Sequence, residues 1–246
     1  MLIIVRSILF NIAFYLNLAM WLIIAIPTFF MPHTGIIAVA KAWGRTSLFL
    51  LRVICGLKAE FRGLEKLPDG SYIAAAKHQS TWDTFALLWL FEDPTFIIKR
   101  ELQWIPLFGW FTIKGRMVPV DRGAGTPALQ AMNERARLEL EHGRQIVIFP
   151  EGTRRPAGAE PKYKYGIVHL YDAANVPCVP IALNSGLFWR RRSIHRVPGT
   201  VIVEVLDPIP PGLDKDVFFA RLQNELEAAT ARLIEEGKQA IARDLA

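Results

Sequence analysis

From Ser7 to Ala40 the chain carries no Lys, Arg, Asp or Glu. Within this stretch, ILFNIAFYLNLAMWLIIAI (Ile8–Ile26) is 19 residues of almost unbroken apolar character. A helix needs about 20 such residues to cross a hydrocarbon core. A secretory leader would have a shorter apolar region and a small-residue cleavage site; here PTFFMPHTG follows. A buried core helix would also be shorter. Pro27, Pro32 and Gly35 break the helix. A second helical stretch then runs over Ile36–Gly56, with Lys41, Arg45 and Arg52 on one face and Ile37, Leu48, Leu51 and Ile54 supplying apolar surface. Such a helix lies at a membrane interface with its cations snorkelling. Residues 1–56 are therefore expected to form a membrane-associated helical hairpin, either a single span or a re-entrant pair. The cations that follow the first helix put the rest of the chain on the cytoplasmic side.

From Leu57 the pattern changes to short β-type runs alternating with helical ones. Strands are predicted at Leu57–Arg62, Ser71–Ala76, Thr95–Lys99, Met117–Val120, Gln145–Phe149, Cys178–Leu183 and Thr200–Val205. Helices are predicted at Thr81–Phe91, Thr126–Glu141, Tyr165–Asn175 and Asp214–Ala242. Alternation of this kind implies an α/β domain over 57–246, a mixed, largely parallel sheet flanked by helices. Pro119 lies inside a predicted strand, where it removes a ladder donor, so that strand belongs at an edge or a bulge. In such sheets, sites gather in the loops beyond the strand ends.

The composition fits this division. The chain has 246 residues, 52% of them hydrophobic, and a formal net charge of +6. The positive balance favours an acidic partner: nucleic acid, anionic lipid, an acidic carrier protein or a phosphorylated metabolite. No nucleic-acid recognition motif accompanies it, and no nucleic-acid partner is expected. Cys55 and Cys178 have neither disulfide-framework nor metal-like spacing. His33, His142, His169 and His195 read as packing or surface residues, so no metal site is expected.

Four loops could carry chemistry. In Lys77-His78-Gln79-Ser80-Thr81-Trp82-Asp83 a histidine and an aspartate straddle a predicted strand-to-helix turn. Five apart within one helix they would diverge by about 140°. Across a turn they can face each other, His78 as general base and Asp83 orienting its ring. Ser80 and Asp83 equally satisfy a variant capping box, and the two roles are compatible. Phe149-Pro150-Glu151-Gly152-Thr153-Arg154 ends a strand in exposed amides, a carboxylate and a cation, suited to a phosphate or polar head group. Gly115 to Arg122 places a guanidinium just past a strand, and Lys99 ends another. Val179–Leu183 reads as a buried strand that lines a pocket. Beyond it, Arg190, Arg191, Arg192, His195 and Arg196 form a basic cluster suited to anionic head groups or an acidic carrier.

In this order the four blocks resemble the glycerolipid acyltransferase family, with His78–Asp83, Gly115–Arg122, Phe149–Arg154 and Val179–Leu183 standing at its motifs. Lys99 to Pro106 is similar to the segment before its second motif. The resemblance covers about Leu57 to Gly186. It implies that His78 deprotonates the free hydroxyl of a lysophospholipid, foremost 1-acyl-glycerol-3-phosphate, with Asp83 orienting it. The alkoxide then attacks an acyl thioester without an acyl-enzyme, giving phosphatidic acid. It further implies Lys99, Arg122 and Arg154 as ligands of the acceptor's phosphate, with Gly115, Glu151, Gly152 and Thr153 shaping the site. No cofactor is expected; acyl-CoA or acyl-carrier protein is the co-substrate. Membrane lipids are partners, and the location is the bacterial inner membrane, cytoplasmic face. Other lysolipids, a lyso-ornithine lipid included, are alternative acceptors. A non-catalytic lipid binder would not require the His78/Asp83 pair.

Overall fold

The computed structural model describes residues 2–121, 123 and 125–245. Seven strands form one sheet: β1 (Leu57–Arg62), β2 (Tyr72–Ala76), β3 (Pro94–Lys99), β4 (Val118–Val120), β5 (Gln145–Ile148), β6 (Cys178–Leu183) and β7 (Gly199–Val205). Their order is β1-β7-β6-β2-β5-β3-β4. Every neighbouring pair is parallel except β6 and β7. All seven predicted strands are present, and Pro119 sits in β4 at the sheet edge, where its missing N–H leaves no ladder partner wanting.

The helices are α1 (Leu2–Ile24), α2 (His33–Leu50), α3 (Trp82–Ala86), α4 (Phe108–Lys114), α5 (Gly125–Glu141), α6 (Gly166–Ala174) and α7 (Lys215–Leu245). The sequence pattern did not predict α4. The helix predicted over Thr81–Phe91 is split, with α3 passing into a 3₁₀ turn over Leu87–Leu90. The second hairpin helix begins at His33, three residues earlier than predicted, and closes through a π turn before Gly56 (φ +68°).

β2 explains the layering. Its sequence YIAAA is buried on both faces, and the alanines let covering elements approach closely. Ala74 and Ala76 face Phe10, Phe14, Trp82 and Phe85 from α1 and α3. Ile73 and Ala75 face Met132, Ile167 and Phe218 from α5, α6 and α7. Further along α7, Leu226 and Leu233 cover Ala182 and Ile202.

The hairpin belongs to the first of these layers. Leu2–Phe30 is long and apolar enough to cross a membrane, yet one side of α1 is docked. Phe10 meets Trp189 edge-on at 5.5 Å and Phe14 meets Phe85 at 5.6 Å. The two buried polar residues of α1 are on this side: Ser7 Oγ accepts from Arg196 N (2.9 Å) and Asn17 Nδ2 donates to Ser47 Oγ on α2 (3.1 Å). Pairing of Asn17 with Ser47 and of Ala25 with Ile36 runs α1 and α2 antiparallel. The two helices thus form an antiparallel pair docked on the domain. Lys41 turns back to the domain and donates to the Glu92 carbonyl (2.6 Å). His33 is anchored on Asp93 (2.7 Å).

β6, β2 and β5 are adjacent and parallel, so the loops leaving their C-terminal ends meet. These loops carry three of the four sequence blocks. β3 and β4 deliver the remaining one alongside.

Candidate active site

β2 delivers His78 and α3 delivers Asp83. Asp83 is fully buried, and its Oδ2 accepts from His78 Nδ1 (3.0 Å), Gln79 N (2.7 Å) and Ser80 N (2.8 Å). Ser80 Oγ accepts from Trp82 N (3.1 Å). Of the expected capping box only the back-bond from Ser80 N to Asp83 forms, since Ser80 Oγ bonds Trp82 N and the helix N-cap is Thr81; the same carboxylate also holds the imidazole. A carboxylate only accepts, so Nδ1 carries the proton and Nε2 is the basic nitrogen. The ring lies flat on Phe149 at 4.0 Å between centroids and 17° between planes. It is fixed on two sides, and its side chain keeps 13% exposure.

The Phe149–Arg154 loop abuts this turn, with Arg155 N donating to the His78 carbonyl (2.8 Å). Gly152 turns the loop at φ +66°, a conformation that favours glycine. Arg154 Nη1 donates to Thr81 Oγ1 (2.5 Å), beside the histidine. Thr153 lines the same wall. Glu151 is among the residues lining the cavity, and its Oε2 accepts from His78 N (3.4 Å). Its carboxylate is buried against Lys77 Nζ (2.8 Å), which also binds Glu227 Oε1 on α7 (2.7 Å). Tyr163 Oη donates to that same Glu227 oxygen (2.8 Å). Burial, with the Glu227 and Glu151 carboxylates nearby, pushes the Tyr163 phenol well up, so it stays a neutral donor. Glu151 therefore ties its own loop to Lys77 and to the turn that carries His78, at the wall of the cavity.

A cavity of about 1100 Å³ begins at His78 and Phe149. On one side it runs between the sheet and the hairpin, past Leu22 and Trp43; on the other it rounds the ends of β3 and β5 to Leu129 and Ile167. Lys99 and Gly115 line it from β3 and from the end of α4. Lys99 pairs with Glu101 (2.8 Å) and is half exposed. The Gly115 carbonyl accepts from Arg144 (3.1 Å). Arg122 lies outside the described residues.

Two participants escaped the sequence reading. Ser185 Oγ donates to Asp83 Oδ1 (2.5 Å) and Gly186 N donates to Gln79 Oε1 (2.9 Å). The loop after β6 therefore clamps the turn that carries the base. The signal available was Asn184-Ser185-Gly186, a polar triplet ending a strand buried throughout. The basic cluster beyond it is also divided. Arg196 is buried, stacks on Trp189 at 3.8 Å and donates to Asn11 Oδ1 of α1 (2.9 Å). Burial lowers its guanidinium to about 10. It fastens the hairpin and is not part of a solvated cationic face.

The arrangement can do one kind of chemistry directly. An oriented neutral imidazole, at the polar end of an apolar cavity, can take a proton from a hydroxyl delivered there. Among the described contacts no serine or cysteine bonds its ring.

The model of a family described as Acyltransferase matches residues 58–184. The 1-acyl-sn-glycerol-3-phosphate acyltransferase of Pseudomonas aeruginosa is 37% identical over 167 residues, 68% of this chain and 65% of that protein. The 1-acyl-sn-glycerol-3-phosphate acyltransferase alpha of Homo sapiens is 31% identical over 176 residues, 70% of this chain and 62% of that protein. The chain thus spans just under two thirds of the length of these curated relatives. Its fold is that of the crystal structure of the 1-acyl-sn-glycerophosphate (LPA) acyltransferase from Thermotoga maritima. The TM-score is 0.75 at 21% identity, over 93% of this chain and 97% of that one.

Proposed function

The chain belongs to the Acyltransferase family, and from that premise we propose that it transfers a fatty acyl group from an acyl thioester to the free hydroxyl of 1-acyl-glycerol-3-phosphate. The product is phosphatidic acid. The observation that carries this reading is the His78–Asp83 pair (3.0 Å) at the polar end of a cavity walled by the apolar hairpin. The relatives named above for this acceptor support it.

The hydroxyl of the acceptor donates to His78 Nε2. As its oxygen attacks the thioester carbonyl carbon, the proton passes to the imidazole, and Asp83 stabilises the imidazolium. The new C–O bond forms, the C–S bond breaks, and the departing sulfur takes the proton back from His78. No acyl-enzyme forms. Arg154 forks onto the acceptor's phosphate in this reading, and fixing that dianion sets the hydroxyl beside the base. Lys99 and Arg122 are the further cations assigned to the phosphate. The donor is acyl-CoA or acyl-carrier protein. The hairpin seats the enzyme on the cytoplasmic face of a bacterial inner membrane, so the acceptor reaches the cavity from lipid.

The test is transfer from labelled acyl-CoA and acyl-carrier protein to a panel of lysolipids by detergent-purified protein. Transfer to 1-acyl-glycerol-3-phosphate that falls by about 10³-fold or more in His78→Ala supports both the reaction and the base. Transfer only to another lysolipid overturns the acceptor. No transfer by folded protein from either donor overturns the enzyme reading.

A further inference from the structure

Between β3 and β4 the chain exposes apolar side chains that the sheet does not use. Trp104 is 67% exposed and Trp110 55%, with Ile105 and Ile113 beside them in sequence. Exposed apolar groups clustered in this way mark an interaction surface.

Three observations say what covers it. The first is continuity with the hairpin. Phe29, at the hairpin tip, stacks on Phe111 of α4 at 4.9 Å and 24°, and Lys114 Nζ donates to the Phe29 carbonyl (3.1 Å). The tip residues Phe30 and Met31 are themselves exposed, Phe30 at 94%. The apolar surface thus passes from hairpin to α4 without a break.

The second is charge. Arg100 (which also pairs with Asp121 at 3.1 Å), Lys114 and Arg116 lie at the ends of the segment, and Glu101 is its single acidic residue. Arg100 lies 5.8 Å over the Trp104 ring. Tryptophans with flanking cations are the composition of a membrane interface.

The third is backbone strain. Leu107 sits at φ 62°, ψ −59°, and Phe108 N donates to the Pro106 carbonyl (2.7 Å), a tight γ-turn. An added Cβ at Gly109 would lie 2.0 Å from the Gln103 carbonyl. The turn packs Leu107 against Ala25, Ile36 and Phe111 while Trp104 and Ile105 stay outside. A residue held in such a region at a surface of this kind points to function.

We propose that the Arg100–Lys114 segment is a second membrane-inserting element, seated in the same leaflet as the hairpin tip. Trp104, Trp110 and Ile113 enter the interface and the flanking cations meet anionic head groups. Leu102, Phe108 and Phe111 line the cavity from the inner side of this segment, and Leu22 and Ala25 line it from the hairpin. The two elements therefore bracket one side of the cavity at the lipid surface. The proposal rests on the hairpin being in a bilayer. Its tests use no acyl transfer, so it can fail while the enzyme reading stands.

The experiment uses the full chain with an environment-sensitive fluorophore on single introduced cysteines: Trp104→Cys, Trp110→Cys and Ile113→Cys. Phe30→Cys at the hairpin tip and Arg135→Cys on α5 are references. Native Cys55 and Cys178 are buried. Vesicles are phosphatidylcholine with phosphatidylglycerol, carrying brominated acyl chains. The expected result is a blue shift and at least twofold quenching at positions 104, 110 and 113, as at 30, and none at 135. Quenching at 30 with water-like emission at the other three overturns the proposal. So does shielding from aqueous iodide without bromine quenching, which identifies a protein partner. Failure at 30 removes the hairpin reading and this one together. As a second measurement, Trp110→Asp combined with Ile113→Asp should weaken partitioning to these vesicles about tenfold, with an unchanged melting temperature in detergent. Unchanged partitioning also overturns the proposal.

Discussion

Ser185 donates its hydroxyl proton to Asp83 at 2.5 Å, across 102 residues of chain. The carboxylate that orients the base is thereby held from the loop of a neighbouring strand as well as from its own turn. Ser185→Ala leaves one oxygen of a fully buried carboxylate short of a donor, a loss of about 1–3 kcal/mol in stability. We expect kcat to fall about tenfold with KM for the lysolipid unchanged, since the serine does not touch substrate. A variant with kcat intact would show that the turn alone holds Asp83.

Glu151 and Lys77 separate a structural role from a ligand role. Lys77→Met strands the carboxylate of Glu151, whose side chain has no exposure. Breaking a buried pair in this way costs about 3–5 kcal/mol. Glu227→Gln should be milder, since Glu227 is partly exposed. Denaturant midpoints in detergent should rank wild type, Glu227→Gln and Lys77→Met in falling order. For Glu151→Gln the expected loss is in stability, without a selective rise in KM for the phosphorylated acceptor.

Tyr163 gives a pH dependence of known sign. Its phenol is raised above the usual value by burial first, then by the Glu227 and Glu151 carboxylates; Lys77 and Phe219 also face it. The folded state therefore favours the neutral phenol. That contribution is fully present below the unfolded value of about 10 and is lost as pH rises beyond it, by up to about 1.4 kcal/mol per pH unit. Tyr72, raised by burial alone, acts with the same sign. Unfolding measured from pH 8 to 11 should show a shallower alkaline decline in Tyr163→Phe than in wild type.

Arg196 tests the seam between hairpin and domain. Its guanidinium stacks on Trp189 and bonds Asn11 of α1. Arg196→Met keeps most of the stem and loses the bonds and the stacking charge. The expected cost is about 2–3 kcal/mol, read as a lower melting temperature and faster proteolysis between α1 and the domain. Vesicle binding should persist, because the outer face of α1 is unchanged.

The local pattern carried the strands well. Alternation and turn residues placed all seven, and Pro119 marked the edge of the sheet before its order was visible. The His78–Asp83 pair was legible because five residues of sequence and one turn contain it. The contacts that complete the site are not local. Lys77 meets Glu151 74 residues away, and Arg196 meets Ser7 across 189. Nothing in the sequence around Arg196 distinguishes a clamp from a solvated loop, and the polar triplet at Ser185 does not say which strand's turn it holds. α4 escaped for a different reason. Its seven residues follow a strained turn and present Trp110 and Ile113 outward, so its apolar positions do not mark a core-facing stripe.

Phe10 and Phe14 belong to the same apolar cluster as Val147 and Val179 of the central strands. Hairpin and α/β domain are therefore one folding unit, and deleting the hairpin to obtain a soluble protein would open the interior. The productive route is to repaint instead of cut. Leu9, Ile12, Leu16 and Ile23 are all more than half exposed on α1. Charged residues at these positions, with Phe10 and Phe14 kept, would yield a water-soluble version whose interior is undisturbed.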